Sequence, residues 1–459
     1  MESERKVRIS YAANHQPKNI KQTTENIDMY NLLKDKIQTK KAKIGIIGLG
    51  YVGLPLAVAF SKKGYFVYGI DTNPHHIERL NKGEKYIVDI NPQEAISLIR
   101  KKIFLPTVDA KVLGDCDVII ICVPTPLRKV KMPDVSYVLA AAKTIKKYLK
   151  NQLIILESTS YPATTREVVL PVLIEAGKRP EKDFFLCFSP ERVNPADKKF
   201  PLTKIPKIVG GFSQNSTDLA RLLYSKIIKK VFPASSPEVA ETAKLLENTF
   251  RLVNIALANE FAIVCNKLGI SVWEVIEAAK TKPFGFMPFY PGPGLGGHCI
   301  PIDPLYLSWK AKKLGFKTKM IDLASYINHF MPEYVIERIK KLLHSRNVNL
   351  KGAKILILGV AYKKDVKDLR ESPALEIIEE LQKKGARVSF YDPFLPYIKI
   401  HEIDLKRIKL NKNTLKTFNC AIVVTDHSNV DYNFIKNNVK LIFDARNVYG
   451  HNAKNIIRL

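Results

Sequence analysis

Pro291-Gly292-Pro293-Gly294-Leu295-Gly296-Gly297-His298-Cys299 is the densest Gly/Pro run in the chain, and it ends in a thiol with Asp303 four residues on. Such a loop lets backbone amides approach a ligand closely. A cysteine whose thiolate is favoured by local amides or cations is a nucleophile; an inert buried thiol is the alternative. His298 beside Cys299 raises the question of a metal, but two adjacent residues without a partner cluster do not make a ligand set, and no metal is expected. Asp303 before Pro304 also fits a helix N-cap with proline at N1, opening the stretch LYLSWKAKKLG, so it has two open readings.

A second group of polar residues sits in an apolar setting. Lys244, Asn248 and Arg251 share one face of a predicted helix, with Leu245, Leu246, Leu252, Val253 and Ala256 around them. A cation in such surroundings needs anionic or hydrogen-bonding partners. The other reading is a solvent stripe in which Glu241 and Glu247 pair locally. A third group is Gly48-Leu49-Gly50-Tyr51-Val52-Gly53, which follows a strand pattern and opens a helix. The first glycine serves the tight turn, the second the approach of a pyrophosphate and the third close helix–strand packing. Asp71 ends the next strand, where a carboxylate takes the adenosine ribose hydroxyls and repels a 2′-phosphate, so NAD is the expected cofactor. Val123-Pro124-Thr125-Pro126 and Ser158-Thr159 end later strands of the same sheet, on the side that faces the cofactor crevice.

The elements that must carry these groups can be read along the chain. Residues 1–40 are polar and read as an extension, with one short helix near Met29–Ile37. From Lys43, strand patterns KIGIIG, FVYGID, DVIIICV, LIILE and FFLCF alternate with helical stretches, the mark of a doubly wound parallel sheet. Residues 41–235 are therefore read as a dinucleotide-binding domain. Residues 236–330 form a helical centre opened by a long helix over Pro237–Gly269, apolar round much of its circumference and expected to pack on another chain. Strand patterns return in KILILG, RVSFYD, AIVVTD and LIFDAR, so 331–459 reads as a second α/β domain. The expected fold class is α/β, with two Rossmann-like doubly wound domains joined by a long central helix.

Composition narrows the function classes. The chain has 459 residues, 46% hydrophobic and 25% charged, as a soluble globular protein of two or three domains would. No apolar run approaches the roughly 20 residues of a membrane helix, and the N-terminus lacks an apolar leader, so the cytoplasm is expected and no membrane partner. The six cysteines show no CxxC spacing, which argues against a disulfide framework. The net charge of +29 comes from lysines spread along the whole chain, without a basic stripe interleaved with aromatics. A solvated surface on an enzyme with an anionic substrate is favoured over a nucleic-acid partner.

Taken in order, GIIGLGYVGLPLA, ESTSYPATT, SPERVNP, ETAKLLENTFRLVNIALANE, GPGLGGHCIPIDP and GVAYKKDVKDLRESPA resemble the UDP-glucose/GDP-mannose dehydrogenase family from about Lys43 to near the C-terminus. The resemblance implies an NAD-binding domain, a long helix at a dimer interface and a C-terminal UDP-binding domain in a homodimer or higher homo-oligomer. It implies a four-electron oxidation with two NAD, in which Cys299 attacks a sugar aldehyde and a thioester is later hydrolysed. Lys244 and Asn248 would then stabilise oxyanions, while Asp303 and Glu191 would handle protons through water with Thr159. Gly48, Gly50, Tyr51, Val52, Gly53, Asp71, Val123, Pro124, Thr125, Thr159 and Arg370 would meet the cofactor. Glu191, Arg192, Val193, Lys244, Asn248, Arg251, Lys363 and the Tyr290–Gly296 loop, with Gly292 and Gly294, would line the sugar and diphosphate. The stretches around Pro190–Pro195 and Lys282–Pro304 are most like the UDP-N-acetylglucosamine 6-dehydrogenase branch, with Arg192 and Asn194 as candidate partners of an acetamido group. UDP-N-acetylmannosamine and UDP-glucose remain alternative substrates, and a non-catalytic NAD or nucleotide-sugar sensor remains an alternative class.

Overall fold

The structure, a computed structural model, describes residues 24–84, 87, 90–127, 132–193, 200–400 and 402–459. Asn194 lies outside the described residues. The first domain is one eight-stranded sheet built from β1 (Lys43–Ile47), β2 (Phe66–Ile70), β3 (Phe104–Thr107), β4 (Val118–Ile121), β5 (Gln152–Leu156), β6 (Phe184–Phe188), β7 (Lys207–Gly211) and β8 (Val231–Ala234). Its order is β3-β2-β1-β4-β5-β6-β7-β8, parallel except where β6 meets β7. Every residue of β4, β5 and β6 is buried, as central strands covered on both faces by helices must be. The two edges, β3 and β8, each contain a proline, Pro106 and Pro233, which cannot donate to a ladder and is tolerated there.

Helix Thr24–Gln38 does not stand apart as an extension. It buries Met29, Leu33 and Ile37 in the core of the first domain. Lys36 Nζ lies 2.6 Å from Asp117 Oδ1, and the Tyr65 hydroxyl donates to the Ile37 carbonyl at 2.6 Å. Three apolar residues at helical spacing, read as part of a polar segment, are in fact a packed face.

The second α/β unit holds β9 (Lys354–Leu358), β10 (Arg387–Tyr391), β13 (Cys420–Val423), β14 (Ile442–Asp444) and β15 (Ile456–Arg458) in the order β10-β9-β13-β14-β15, all parallel. An antiparallel pair, β11 (Tyr397–Ile400) and β12 (Ile403–Lys406), adds a small flap. Between the two units runs the helix Pro237–Leu268, 32 residues long and so about 48 Å. Ser236 caps it, Pro237 takes the first turn, and Gly269 ends it at φ 73°, a left-handed conformation that favours glycine. Helices Asp303–Lys313 and Lys319–His344 pack along it. Among the described residues, no helix is long and apolar enough to cross a membrane.

Candidate active site

The glycine fingerprint bends as its spacing requires. Gly48 has φ +94° and donates to the Ile70 carbonyl at 2.7 Å; a side chain there would stand 2.4 Å from the Cys122 carbonyl oxygen. A side chain at Gly53 would stand 1.9 Å from the Gly48 carbonyl oxygen, so the helix Gly53–Lys62 begins hard against the turn. Gly50 is different: a side chain there would meet nothing within 4 Å. The space beside Gly50 is open, and Val52 offers no side-chain cap to the helix. A loop with open space at its second glycine and uncapped helical amides fits a dinucleotide pyrophosphate. Asp71 closes the arrangement, accepting from Leu49 N and Asn73 N at 2.9 Å each. Ser158, at the end of β5, donates to the Val123 carbonyl at 2.8 Å, which fixes the Val123–Thr125 strand end against the half-buried Thr159.

Cys299 and Asp303 lie on one tight turn, with Asp303 N donating to the Cys299 carbonyl at 2.8 Å. Asp303 is not the N-cap that its Pro304 neighbour suggested. Ile302 takes the cap position of helix Asp303–Lys313 without a side-chain bond, and the Asp303 carboxylate instead accepts from Asn248 Nδ2 at 2.5 Å. The solvent-stripe reading of the long helix also fails. Lys244 and Asn248 are 9% and 4% exposed, while Glu241 turns away to accept from Ala163 N, Thr165 N and Thr165 Oγ1. Glu247 pairs with Arg192, not with Lys244. Arg251, further along, is more open to solvent.

Burial governs the protons here. It pushes the Asp303 carboxyl up to about 6, against the pull of the Lys244 ammonium and the Asn248 amide. Burial and then the Asp303 charge push the Cys299 thiol up to about 11. Lys244, Arg370 and Arg251 pull it back without offsetting the rise, so the resting sulfur is a neutral thiol. His298 is driven down to about 4, chiefly by burial and then by Arg370, and its Nδ1 is buried without a partner among the described residues.

Glu191 lies in the loop just after β6. One carboxylate oxygen accepts from Arg192 N at 2.7 Å and Val193 N at 2.5 Å. Arg192 is committed to protein: its guanidinium holds Glu247 at 2.6 Å and the Pro206 carbonyl at 2.6 Å. Those bonds engage its Nε, Nη1 and Nη2 within the protein.

The glycine loop packs closely on the second α/β unit. Side chains at Gly296 and Gly297 would collide with Tyr362, at 2.8 and 2.6 Å, and one at Gly292 with the Arg446 guanidinium at 2.6 Å. Gly294, at φ +132°, would strike Pro373 at 2.8 Å. The glycines thus admit the second α/β unit. Gly297 N donates to the Arg370 carbonyl at 3.0 Å and Gly292 N to Asn259 Oδ1 at 2.9 Å. From that unit Arg370, paired with Asp368, lays its guanidinium 5.6 Å from the centre of the Tyr51 ring. Lys363 is half-buried on the same loop. Beyond it a cleft of about 400 Å³ is lined by Trp273, Glu277, Tyr290, Pro291, Arg446 and Asn447. Tyr290 stacks on Trp273 and donates to Glu277 at 2.7 Å.

Three family models cover the chain in order: the NAD binding domain of the UDP-glucose/GDP-mannose dehydrogenase family over residues 42–228, its central domain over 238–329 and its UDP binding domain over 356–451. The chain belongs to this family. It is 39% identical over 359 residues to the UDP-N-acetyl-D-glucosamine 6-dehydrogenase of Pseudomonas aeruginosa, covering 78% of this chain and 84% of that one. It is 34% identical over 423 residues to the UDP-N-acetyl-D-mannosamine dehydrogenase of Methanococcus maripaludis, covering 89% and 93%. The solved UDP-D-ManNAc dehydrogenase of Pyrococcus horikoshii superposes with a TM-score of 0.83 at 32% identity, covering 91% of this chain and 98% of that one.

Several residues of this NAD-dependent UDP-sugar 6-dehydrogenase escape a sequence reading. Arg446 had one usable signal, since it follows a strand of a parallel sheet at the end where ligands gather. Tyr306, 1% exposed, donates to the Thr125 carbonyl and ties the Cys299–Asp303 turn to the NAD-binding domain. Glu241 does the same from the long helix, through the turn after β5. Neither has a local signal, because its partner is remote in sequence.

Proposed function

We propose that this dehydrogenase converts UDP-N-acetylglucosamine to UDP-N-acetylglucosaminuronate through a thioester on Cys299. The observation that carries the mechanism is the Cys299–Asp303 turn packed on Lys244 and Asn248 beneath the second α/β unit. When bound, NAD supplies a hydride acceptor for each of two oxidations at C6. Between them the Cys299 sulfur adds to the aldehyde carbon as the thiol proton passes to the carbonyl oxygen through Asp303, giving a thiohemiacetal. A neutral thiol suffices because proton transfer accompanies C–S bond formation. Lys244 and Asn248 are fixed, dry donors for the oxygen that gains charge. After the second oxidation, water attacks the thioester carbonyl, the C–S bond breaks, and Glu191 takes the proton of the water with Thr159 alongside. Arg446 and Tyr290, in the cleft beside the glycine loop, would hold the nucleotide end, with Lys363 and Arg251 toward the diphosphate.

The N-acetylglucosamine assignment rests on the closer identity to the Pseudomonas aeruginosa enzyme than to the Methanococcus maripaludis one. The test is kcat/KM for UDP-N-acetylglucosamine, UDP-N-acetylmannosamine and UDP-glucose under matched conditions, with NADH counted per sugar. Preference for the first with two NADH supports the assignment. Preference for either other sugar removes it, and one NADH with free aldehyde removes the thioester. The protein acts as a homodimer through the long helix, where Val239, Leu246, Phe250, Leu257, Phe261, Val264 and Leu268 form an exposed apolar row at near-heptad spacing.

A further inference from the structure

We infer that Lys207, a residue remote from any substrate atom, positions Glu191 for thioester hydrolysis. The inference rests on the thioester reading above. Lys207 opens β7 and is 3% exposed. Its ammonium lies 2.8 Å from Glu157 Oε2 and 3.4 Å from Glu191 Oε2, and 5.2 Å from the centre of the Tyr224 ring. Two carboxylates share one cation in a dry interior. They are not equivalent. Glu157 has no exposed side-chain surface, and its other oxygen accepts from the Tyr224 hydroxyl. Glu191 keeps 13% of its side chain exposed, and its other oxygen is fixed by the amides of Arg192 and Val193. The oxygen facing Lys207 therefore belongs to the one carboxylate of the pair that keeps any exposed surface.

The charges around this group come from several elements. Glu157 stands at the end of β5, Cys122 at the end of β4, Tyr224 on helix Gln214–Ser225, and the Arg192–Glu247 pair bridges to the long helix. Lys207 is the one cation in contact with both carboxylates among the described residues. Without it, the free oxygen of Glu191 loses its side-chain partner, and Glu191, held among the described residues by the amides of Arg192 and Val193 alone, swings that oxygen out of register with the water it must deprotonate. With it, Glu191 and the strand end that leads into Thr159 are locked together, because Glu157 immediately precedes Ser158 and Thr159. Lys207 is thus a positioning residue acting on one step, the breaking of the thioester C–S bond by water.

The test separates the first NADH, formed before hydrolysis, from steady turnover. Lys207→Met leaves two buried carboxylates unpaired and is prone to misfold, so it is made on a Glu157→Gln background. Glutamine there keeps one oxygen to accept from Lys207 and turns its amide N–H toward the Tyr224 hydroxyl oxygen. Stopped-flow NADH and intact mass of acid-quenched enzyme are read with a UDP-sugar that the wild type oxidises. Glu157→Gln alone should turn over without a covalent adduct. Lys207→Met/Glu157→Gln should keep a full-site NADH burst, lose about tenfold or more of steady turnover, and accumulate an acyl adduct on Cys299. Lys207→Arg should recover turnover to within a few fold. Burst and steady rate falling in proportion, with no adduct, would mean that Lys207 merely supports the fold and would overturn the inference. Glu191→Gln is the reference. If it accumulates the adduct and the Lys207 variant does not, Lys207 is excluded; if it accumulates none, the assignment of Glu191 itself fails.

Discussion

Asp303→Asn should abolish turnover and yet stabilise the folded enzyme, by an amount that depends on pH. Burial raises this carboxyl from 3.8 to about 6, net of the favourable Lys244 charge and the Asn248 hydrogen bond. A raised carboxyl means that the folded state prefers the neutral form. Stability is therefore full below the unfolded value of about 4 and declines as pH rises through about 6, after which the penalty is constant. Integrating a shift of this size gives a cost of about 2 kcal/mol at pH 5 and about 3 kcal/mol at pH 8. Asparagine keeps an oxygen for Asn248 Nδ2 and carries no charge to bury. At about 2 °C per kcal/mol for a large cooperative unit, the variant should melt about 4 °C higher at pH 5 and about 6 °C higher at pH 8. Differential scanning calorimetry at matched ionic strength reads both points, and NADH formation should fall by about a hundredfold or more. A variant that is no more stable than wild type at pH 8, or a difference that does not grow between pH 5 and pH 8, would refute the claim that Asp303 is a buried charge held for catalysis.

Cys299→Ala should form no uronate while binding NAD with near-normal affinity, measured by fluorescence titration, since the Cys299 thiol is proposed to act on the sugar and the fingerprint lies elsewhere. Arg446→Ala should raise KM for the UDP-sugar by about ten- to a hundredfold with a smaller change in kcat, the scale of one charge-assisted hydrogen bond; an unchanged KM would take Arg446 out of the binding cleft. Leu246→Glu, at a residue 64% exposed on the long helix, should shift the protein to monomer in light scattering; an unchanged mass would move the interface elsewhere.

What could be read in the sequence divides along physical lines. β4, β5 and β6 announce themselves as unbroken apolar runs because both their faces are covered. β3 and β8 were silent for the opposite reason: they are short, carry Pro106 and Pro233, and survive only as edges. The fingerprint was legible because each glycine answers a local backbone demand. The glycine loop was legible only in part, because composition reports close approach without saying what approaches, and Tyr362, Pro373 and Arg446 do so from the second α/β unit. Asp303 stays open between two readings in the sequence because its neighbour Pro304 is a strong local cap signal, while Asn248, which holds its carboxylate, is 55 residues away. Side chains whose partners are set by tertiary packing, Lys207 and Glu157 among them, leave no periodic trace.

The long helix explains how residues so far apart in sequence meet with the accuracy a covalent mechanism needs. Glu241, Lys244, Asn248 and Asn259 are all buried on it, and each addresses a different part of the molecule. Glu241 grips the Ala163–Thr165 turn, and so fixes the strand end that carries Thr159. Asn248 fixes Asp303, with Lys244 one turn earlier setting the charge felt by Asp303 and Cys299. Asn259 accepts from Gly292 N and donates to Asn328 at 2.9 Å, and so fixes the loop on which the second α/β unit rests. A polar group buried in a helix otherwise packed with Leu and Ala costs stability unless its bonds are made, so each is satisfied only when its module is docked. Docking the NAD-binding sheet, the cysteine turn and the nucleotide-binding unit on one rigid helix registers them against a single axis. The cost shows at Glu241 and Asp303, two carboxyls that burial pushes up to about 7 and about 6, so that the stability Asp303→Asn regains and the activity it loses are two readings of one arrangement.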